Sequence, residues 1–149
     1  MKILVVEDDY LQSEWLVPML QRTFPRARIE PVSTEKEFRD KLPEIVMNPP
    51  TVVVMDVMLR WSDPEPTMEP PPTEVQEGGF YRAGLRCQQL LAAQESTRSV
   101  PILLYTVLDR EDLNREFDHL PDNVHYVRKS DNPSPLLKLV RQSMRRKPS

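Results

Sequence analysis

The chain has 149 residues, with 23 Asp and Glu against 20 Lys and Arg, a net charge of -3 and 39% hydrophobic residues. That balance suits a globular chain long enough to bury roughly two-thirds of its unfolded surface, and it lacks the basic surplus of a nucleic-acid binder. The lone Cys87 excludes an intramolecular disulfide and a cysteine metal cage, and the opening run Ile3-Leu4-Val5-Val6 is too short for a signal peptide or membrane span. One domain over residues 1–149, cytoplasmic, with no direct contact to nucleic acid or membrane, is the expectation.

The β-branched run up to Val6 stops at Glu7-Asp8-Asp9 and reads as a strand followed by carboxylates. From Tyr10 to Phe24, Leu11, Trp15, Met19 and Leu20 recur at helical spacing, and Pro18 within the stripe predicts a kink or early break. Arg28 to Val32 is a short, weak strand. Thr34 with Glu37 forms a capping box that opens a second helix through Phe38 and Leu42, and Pro43 is expected to interrupt it. Thr51-Val52-Val53-Val54-Met55-Asp56 is an apolar run ending at a carboxylate and reads as a central strand buried on both faces.

Between 60 and 79 the periodicity vanishes and the composition shifts to Pro, Glu, Asp and Thr, with Pro64, Pro66, Pro70, Pro71 and Pro72 among them. This predicts an extended acidic loop without a core of its own, inserted in the domain as a spacer, a lid or a docking segment. Helical spacing resumes at Gly84, with Leu85, Leu90 and Leu91, and runs to about Ala93. Pro101 to Tyr105 is a fourth strand ending in Thr106, and Asp109 and Asp112 cap and charge a helix through Phe117. Val124 to Val127 is a fifth strand ending in Arg128-Lys129. Ser134-Pro135 opens a last helix, Leu136 to Met144, which finishes basic at Arg145, Arg146 and Lys147. Five strands alternating with five helices predict an α/β fold, a doubly wound five-stranded parallel sheet with helices on both faces.

In a parallel sheet all the carboxyl ends share one edge, and here that edge collects Glu7, Asp8, Asp9, Asp56, Thr106 and Lys129. Each taken alone reads as a cap, a turn former or a solvated side chain. Their arrival together at the ends of different strands points to a site. Clustered carboxylates repel one another unless a hard cation neutralises them, and oxygen donors in an open site favour Mg²⁺. An ammonium and a hydroxyl beside such a cation are what a phosphoryl group requires.

Through Val5-Val6-Glu7-Asp8-Asp9, Val54-Met55-Asp56-Val57-Met58-Leu59, Leu104-Tyr105-Thr106 and Tyr126-Val127-Arg128-Lys129, the chain resembles the response-regulator receiver domain of two-component signalling. The resemblance implies a flavodoxin-like (βα)5 fold, with Asp56 as phosphoacceptor. It implies Mg²⁺ held by Glu7, Asp8, Asp56 and the backbone carbonyl of Met58. Thr106 would hydrogen-bond the phosphoryl group, Lys129 would pair with it, and Tyr126 would change rotamer as the switch. Asp9 would be a spare acid in the turn. The implied partners are a sensor histidine kinase or phosphotransfer protein and a downstream protein. A homodimer through the fourth helix, fifth strand and fifth helix is a further implication.

Four departures stand against the family pattern. Arg60 occupies a position where proline is common and is followed by the insert. Ser130 follows Lys129 where a proline is usual, which predicts looser lysine placement. Val107 follows Thr106 where a small residue is usual and would narrow access to Asp56, and Met58 and Leu108 put apolar groups where hydrolytic water would approach, which predicts slow self-dephosphorylation. These departures sustain an alternative, a receiver-like interaction module that works without phosphorylation. Enzymes are disfavoured, because no glycine-rich loop follows the first strand and Met58 stands where an aspartyl phosphatase would want a second acid. Cys87, His119 and His125 read as structural or solvated.

Overall fold

The strands are β1 (Lys2–Val6), β2 (Arg28–Val32), β3 (Val52–Met55), β4 (Ile102–Thr106) and β5 (Val124–Arg128). In the computed structural model, which describes residues 1–64, 69–115 and 119–145, they form one parallel sheet in the order β2-β1-β3-β4-β5. The strand that leads to Asp56 is therefore central, and the order reverses between β1 and β3, where open α/β sheets form their ligand crevice. Val6 pairs with Met55, so Glu7 and Asp56 follow residues that are neighbours across the ladder. Thr106 pairs with Arg128, which sets Lys129 one residue beyond.

The helices are α1 (Tyr10–Thr23), α2 (Glu35–Met47), α3 (Thr73–Gly78), α4 (Ala83–Ala92), α5 (Arg110–Asn114) and α6 (Ser134–Arg145), with a 3₁₀ turn at Phe80–Arg82. Successive strand residues point to opposite faces, so each strand feeds two cores. Ile3, Val5, Val52, Val54, Leu103 and Tyr105 pack with Leu16, Met19 and Leu20 of α1 and Leu136 and Val140 of α6. Leu4, Val6, Val53, Met55, Ile102 and Leu104 pack with Phe38 and Ile45 of α2, Leu85 and Leu91 of α4, and Leu113 of α5. Among the described residues no helix is long and apolar enough to cross a membrane.

Several local expectations require correction. Neither Pro18 nor Pro43 breaks its helix: α1 and α2 run on to Thr23 and Met47. Both prolines are exposed, so each ring lies on the solvent side of its helix; Glu14, four residues before Pro18, is exposed, and Arg39, four residues before Pro43, is half-buried. The α1 stripe is also shifted. Leu16, Met19 and Leu20 are buried, whereas Leu11 is 76% and Trp15 42% exposed. Asp9 is the N-cap of α1, accepting from the Gln12 N–H at 3.1 Å, so it is a structural acid rather than a spare one. The acidic insert contains α3, whose Val75 is buried, so the segment has packing of its own. The expected end of the fourth helix at Phe117, and Pro66, Arg146 and Lys147, lie outside the described residues.

Pro31 lies in β2, an edge strand, where the missing N–H breaks no central ladder. The first-turn N–H groups of α2 find three different acceptors: Arg60 carbonyl for Glu35 (3.1 Å), Trp61 carbonyl for Lys36 (2.8 Å) and Thr34 Oγ1 for Glu37 (3.1 Å).

Candidate functional site

The ends of β1 and β3 hold the acids in place through their backbones. The Asp56 N–H donates to the Val6 carbonyl at 2.9 Å, and the Glu7 N–H donates to the Val32 carbonyl at 3.0 Å. Carboxylate oxygens of Glu7, Asp8 and Asp56 consequently lie within 4.8 Å of one another. Glu7 and Asp56 are buried and Asp8 is half-buried. Gly84 is what allows α4 to approach: its N–H donates to the Val57 carbonyl at 2.8 Å, and a Cβ there would lie 2.2 Å from the Asp56 carbonyl oxygen.

Lys129 reaches the same cluster from β5. Its N–H donates to the Thr106 carbonyl at 2.7 Å, which sets the lysine at the sheet edge. Its ammonium bonds Glu7 Oε1, and Asp56 Oδ2 at 2.9 Å, and lies 5.7 Å from the Tyr105 ring centre. No proline follows the lysine; the Ser130 hydroxyl donates to the Asn132 carbonyl at 3.1 Å and accepts from the Asn132 N–H at 3.3 Å, which closes the turn. Asp56 Oδ1 accepts from the Met58 N–H at 3.3 Å, and Asp8 Oδ2 accepts from the Arg60 N–H at 2.9 Å.

The charges are not balanced within this cluster. Burial, and then the neighbouring Asp56 carboxylate, push the Glu7 carboxyl up to about 8 despite the Lys129 ammonium. Burial would lower Lys129, but Asp56 and Glu7 outweigh it and hold the ammonium above its ordinary value. Glu7 Oε2 is buried without a hydrogen-bond partner among the described residues. An orphaned carboxylate oxygen beside two further acids is the donor set a small hard cation uses, so the residues fit Mg²⁺.

Thr106 is fully buried, and its Oγ1 accepts from the Leu108 N–H at 3.2 Å. The same Leu108 offers its carbonyl to the Tyr126 hydroxyl at 2.6 Å, so one residue touches both Thr106 and Tyr126. Arg110 lies 5.9 Å over the half-buried Tyr126 ring. Val107 is 54% exposed. Glu7, Asp56 and Lys129 are thus gathered by direct contact, Asp8 by its carboxylate within 4.8 Å of the other two, Thr106 by its backbone bond to Lys129, Met58 by its N–H, and Tyr126 one step outside through Leu108.

Sequence reasoning did not find a second charged nexus behind the site. The Glu35 carboxylate is 0% exposed and accepts from Arg86 at 2.6 and 2.8 Å and from Arg39 at 3.1 and 3.3 Å. Glu35 and Arg86 are 51 residues apart, and no local spacing signals such a pair.

No protein-family model and no curated protein matches the sequence. Solved structures do match over nearly the whole chain. A receiver domain of a sensor histidine kinase from Pseudomonas aeruginosa, with a magnesium ion coordinated in its active-site cleft, aligns with a TM-score of 0.66 at 19% identity over 96% of both chains. The signal receiver domain of a DNA-binding response regulator from Colwellia psychrerythraea gives 0.67 at 20% identity, over 95% of this chain and 96% of that one. The non-phosphorylated HemR receiver domain from Leptospira biflexa gives 0.68 at 19% identity, over 99% and 97%. The chain has the receiver-domain fold, a flavodoxin-like five-stranded parallel sheet covered on both faces.

Proposed function

We propose that this chain, built on the receiver-domain fold, is a phosphorylation-dependent signalling switch of the two-component type. Its phosphoacceptor is Asp56, and its donor is a sensor histidine kinase or phosphotransfer protein. The convergence of Glu7, Asp8 and Asp56 within 4.8 Å, with Lys129 bridging two of them, is the observation that carries this reading. Glu7, Asp8 and Asp56, with the Met58 carbonyl, would hold Mg²⁺, which when bound offsets charge among the acids and on the phosphoryl oxygens.

In the transfer an Asp56 carboxylate oxygen forms a bond to phosphorus as the phosphorus–nitrogen bond of the donor's phosphohistidine breaks, its electron pair leaving with the imidazole. Lys129, already on Asp56 Oδ2, stays beside the arriving oxygens as a cation that need not be recruited. The Thr106 hydroxyl turns to the phosphoryl group and gives up the Leu108 N–H. Leu108 shifts, the 2.6 Å bond from Tyr126 is lost, and the Tyr126 ring changes rotamer. The readout is then a rearranged face of α5, β5 and α6 presented to a downstream protein or to a second copy of the chain. The chain is a signalling domain whose only chemistry is its own phosphorylation and a slow loss of that phosphoryl group.

Incubation with a small phosphodonor and Mg²⁺, read by intact mass, tests the proposal. One phosphoryl group is expected on the wild type and none on Asp56→Asn. An unmodified wild type would leave the phosphorylation-independent module as the function. Because half-buried Met58 and Leu108 flank the site, the phosphorylated form is expected to persist for minutes or longer, and a lifetime of seconds would contradict that placement.

A further inference from the structure

Asp8 is the most exposed of the three clustered acids, and its carboxylate is held from the insert: the Arg60 N–H donates to Asp8 Oδ2 at 2.9 Å. Arg60 is fixed in turn from behind. Its carbonyl accepts from the Glu35 N–H at 3.1 Å, and the next carbonyl, of Trp61, accepts from the Lys36 N–H at 2.8 Å. Both donors are first-turn groups of α2, so the start of the insert is docked on a helix end.

That helix end is locked by charge. Arg86 of α4 grips Glu35 with two nitrogens at 2.6 and 2.8 Å and also donates to the Gly79 carbonyl at 2.8 Å. Arg39 bonds Glu35 as well, pairs with Glu74 of α3 at 3.0 Å and lies 5.7 Å over the Trp61 ring. The first turn of α2 thus holds the entry of the insert at 60–61 through the Glu35 and Lys36 N–H groups, and the Glu35 carboxylate ties in its exit at 74–79 through Arg39 and Arg86. The two described ends of the insert are held at the α2–α4 seam, and its first peptide N–H is on Asp8.

We infer that the buried Glu35–Arg86 pair is a positioning element for Asp8, acting through the Arg60 backbone N–H to hold that carboxylate toward Glu7 and Asp56. The inference rests on the reading of these three acids as a cation site. Outer partners of this kind orient a ligand rather than touch the ion. It also requires a residue other than proline at position 60, because a proline has no N–H to give Asp8.

Calorimetric titration of the full chain with MgCl₂ alone, beside thermal melts of each protein, tests this. Arg60→Ala keeps the N–H and is expected to bind as the wild type does. Arg60→Pro and Arg86→Met are expected to bind about ten-fold more weakly or worse, with Arg86→Lys partly restoring affinity. If Arg86→Met does not fold, the contrast between Arg60→Ala and Arg60→Pro decides. Equal affinity for those two, with a wild type that binds, overturns the positioning role and leaves the cation site standing. A wild type that binds no Mg²⁺ overturns both.

Discussion

Lys129 holds two carboxylates with one ammonium, and a third acid stands nearby, so the resting site carries surplus negative charge. Asp56→Asn keeps an acceptor for Lys129 while removing one charge from beside Glu7. Without divalent cations, this variant is expected to be more stable by on the order of 1 kcal/mol in urea denaturation. A loss of stability would mean that the Lys129 pairing outweighs the repulsion. The pH dependence follows from Glu7. Its folded value of about 8 lies above the ordinary 4.5, so between those values the folded state binds the proton that the unfolded state has released. Glu7 therefore contributes stability at low pH that is lost as pH rises through that window, even though Lys129 pairs with it, because burial and Asp56 outweigh that pairing. Denaturation in chelator at pH 5.5 and pH 8 should show the Glu7→Gln variant gaining on the wild type at the higher pH.

At the scale of elements, the approach of α4 to the end of β3 depends on a missing side chain. Gly84→Ala would place a Cβ 2.2 Å from the Asp56 carbonyl oxygen and 2.7 Å from Val57 Cα. The helix must retreat, at an expected cost of about 1–3 kcal/mol, and phosphoryl labelling should slow because Asp56 moves with its peptide. Unchanged labelling together with reduced stability would show that the retreat stops at α4. The strands, and the acids that close them, were legible in the sequence because a β-branched run interrupted by a carboxylate is a local signal. The helix faces were less so. Leu11 and Trp15 fit a helical stripe as well as Leu16 and Leu20 do, and the position of the sheet selects between them. Pro18 and Pro43 were misleading because both stand on the solvent side of their helices, which spacing alone does not reveal. α3 was hidden by the prolines around it, and the Glu35–Arg86 pair by the separation of its partners.

For the molecule as a whole, two apolar layers bury the sheet, and the crevice between β1 and β3 is where a ligand can add stability from outside. A cation that binds the folded state alone raises stability by about 2.7 kcal/mol at a hundred times its dissociation constant. Addition of Mg²⁺ is therefore expected to raise the melting temperature of the wild type, and to do so much less for a Glu7→Gln, Asp8→Asn double variant. An equal rise in both would assign the effect to non-specific ionic screening. The insert leaves this architecture intact because both of its anchored ends meet at α2, so its length adds little loop-closure cost.

The single cysteine gives the protein a built-in clock. Cys87 is fully buried on α4, one turn after Gly84, and burial pushes its thiol well above the ordinary range. A thiol-reactive dye can reach it only when the packing around α4 opens, so the labelling rate counts those openings. Because the Gly84 N–H in the first turn of α4 donates to the carbonyl of Val57, the residue after Asp56, the same clock should run slower whenever that segment is held by a bound cation or a phosphoryl group.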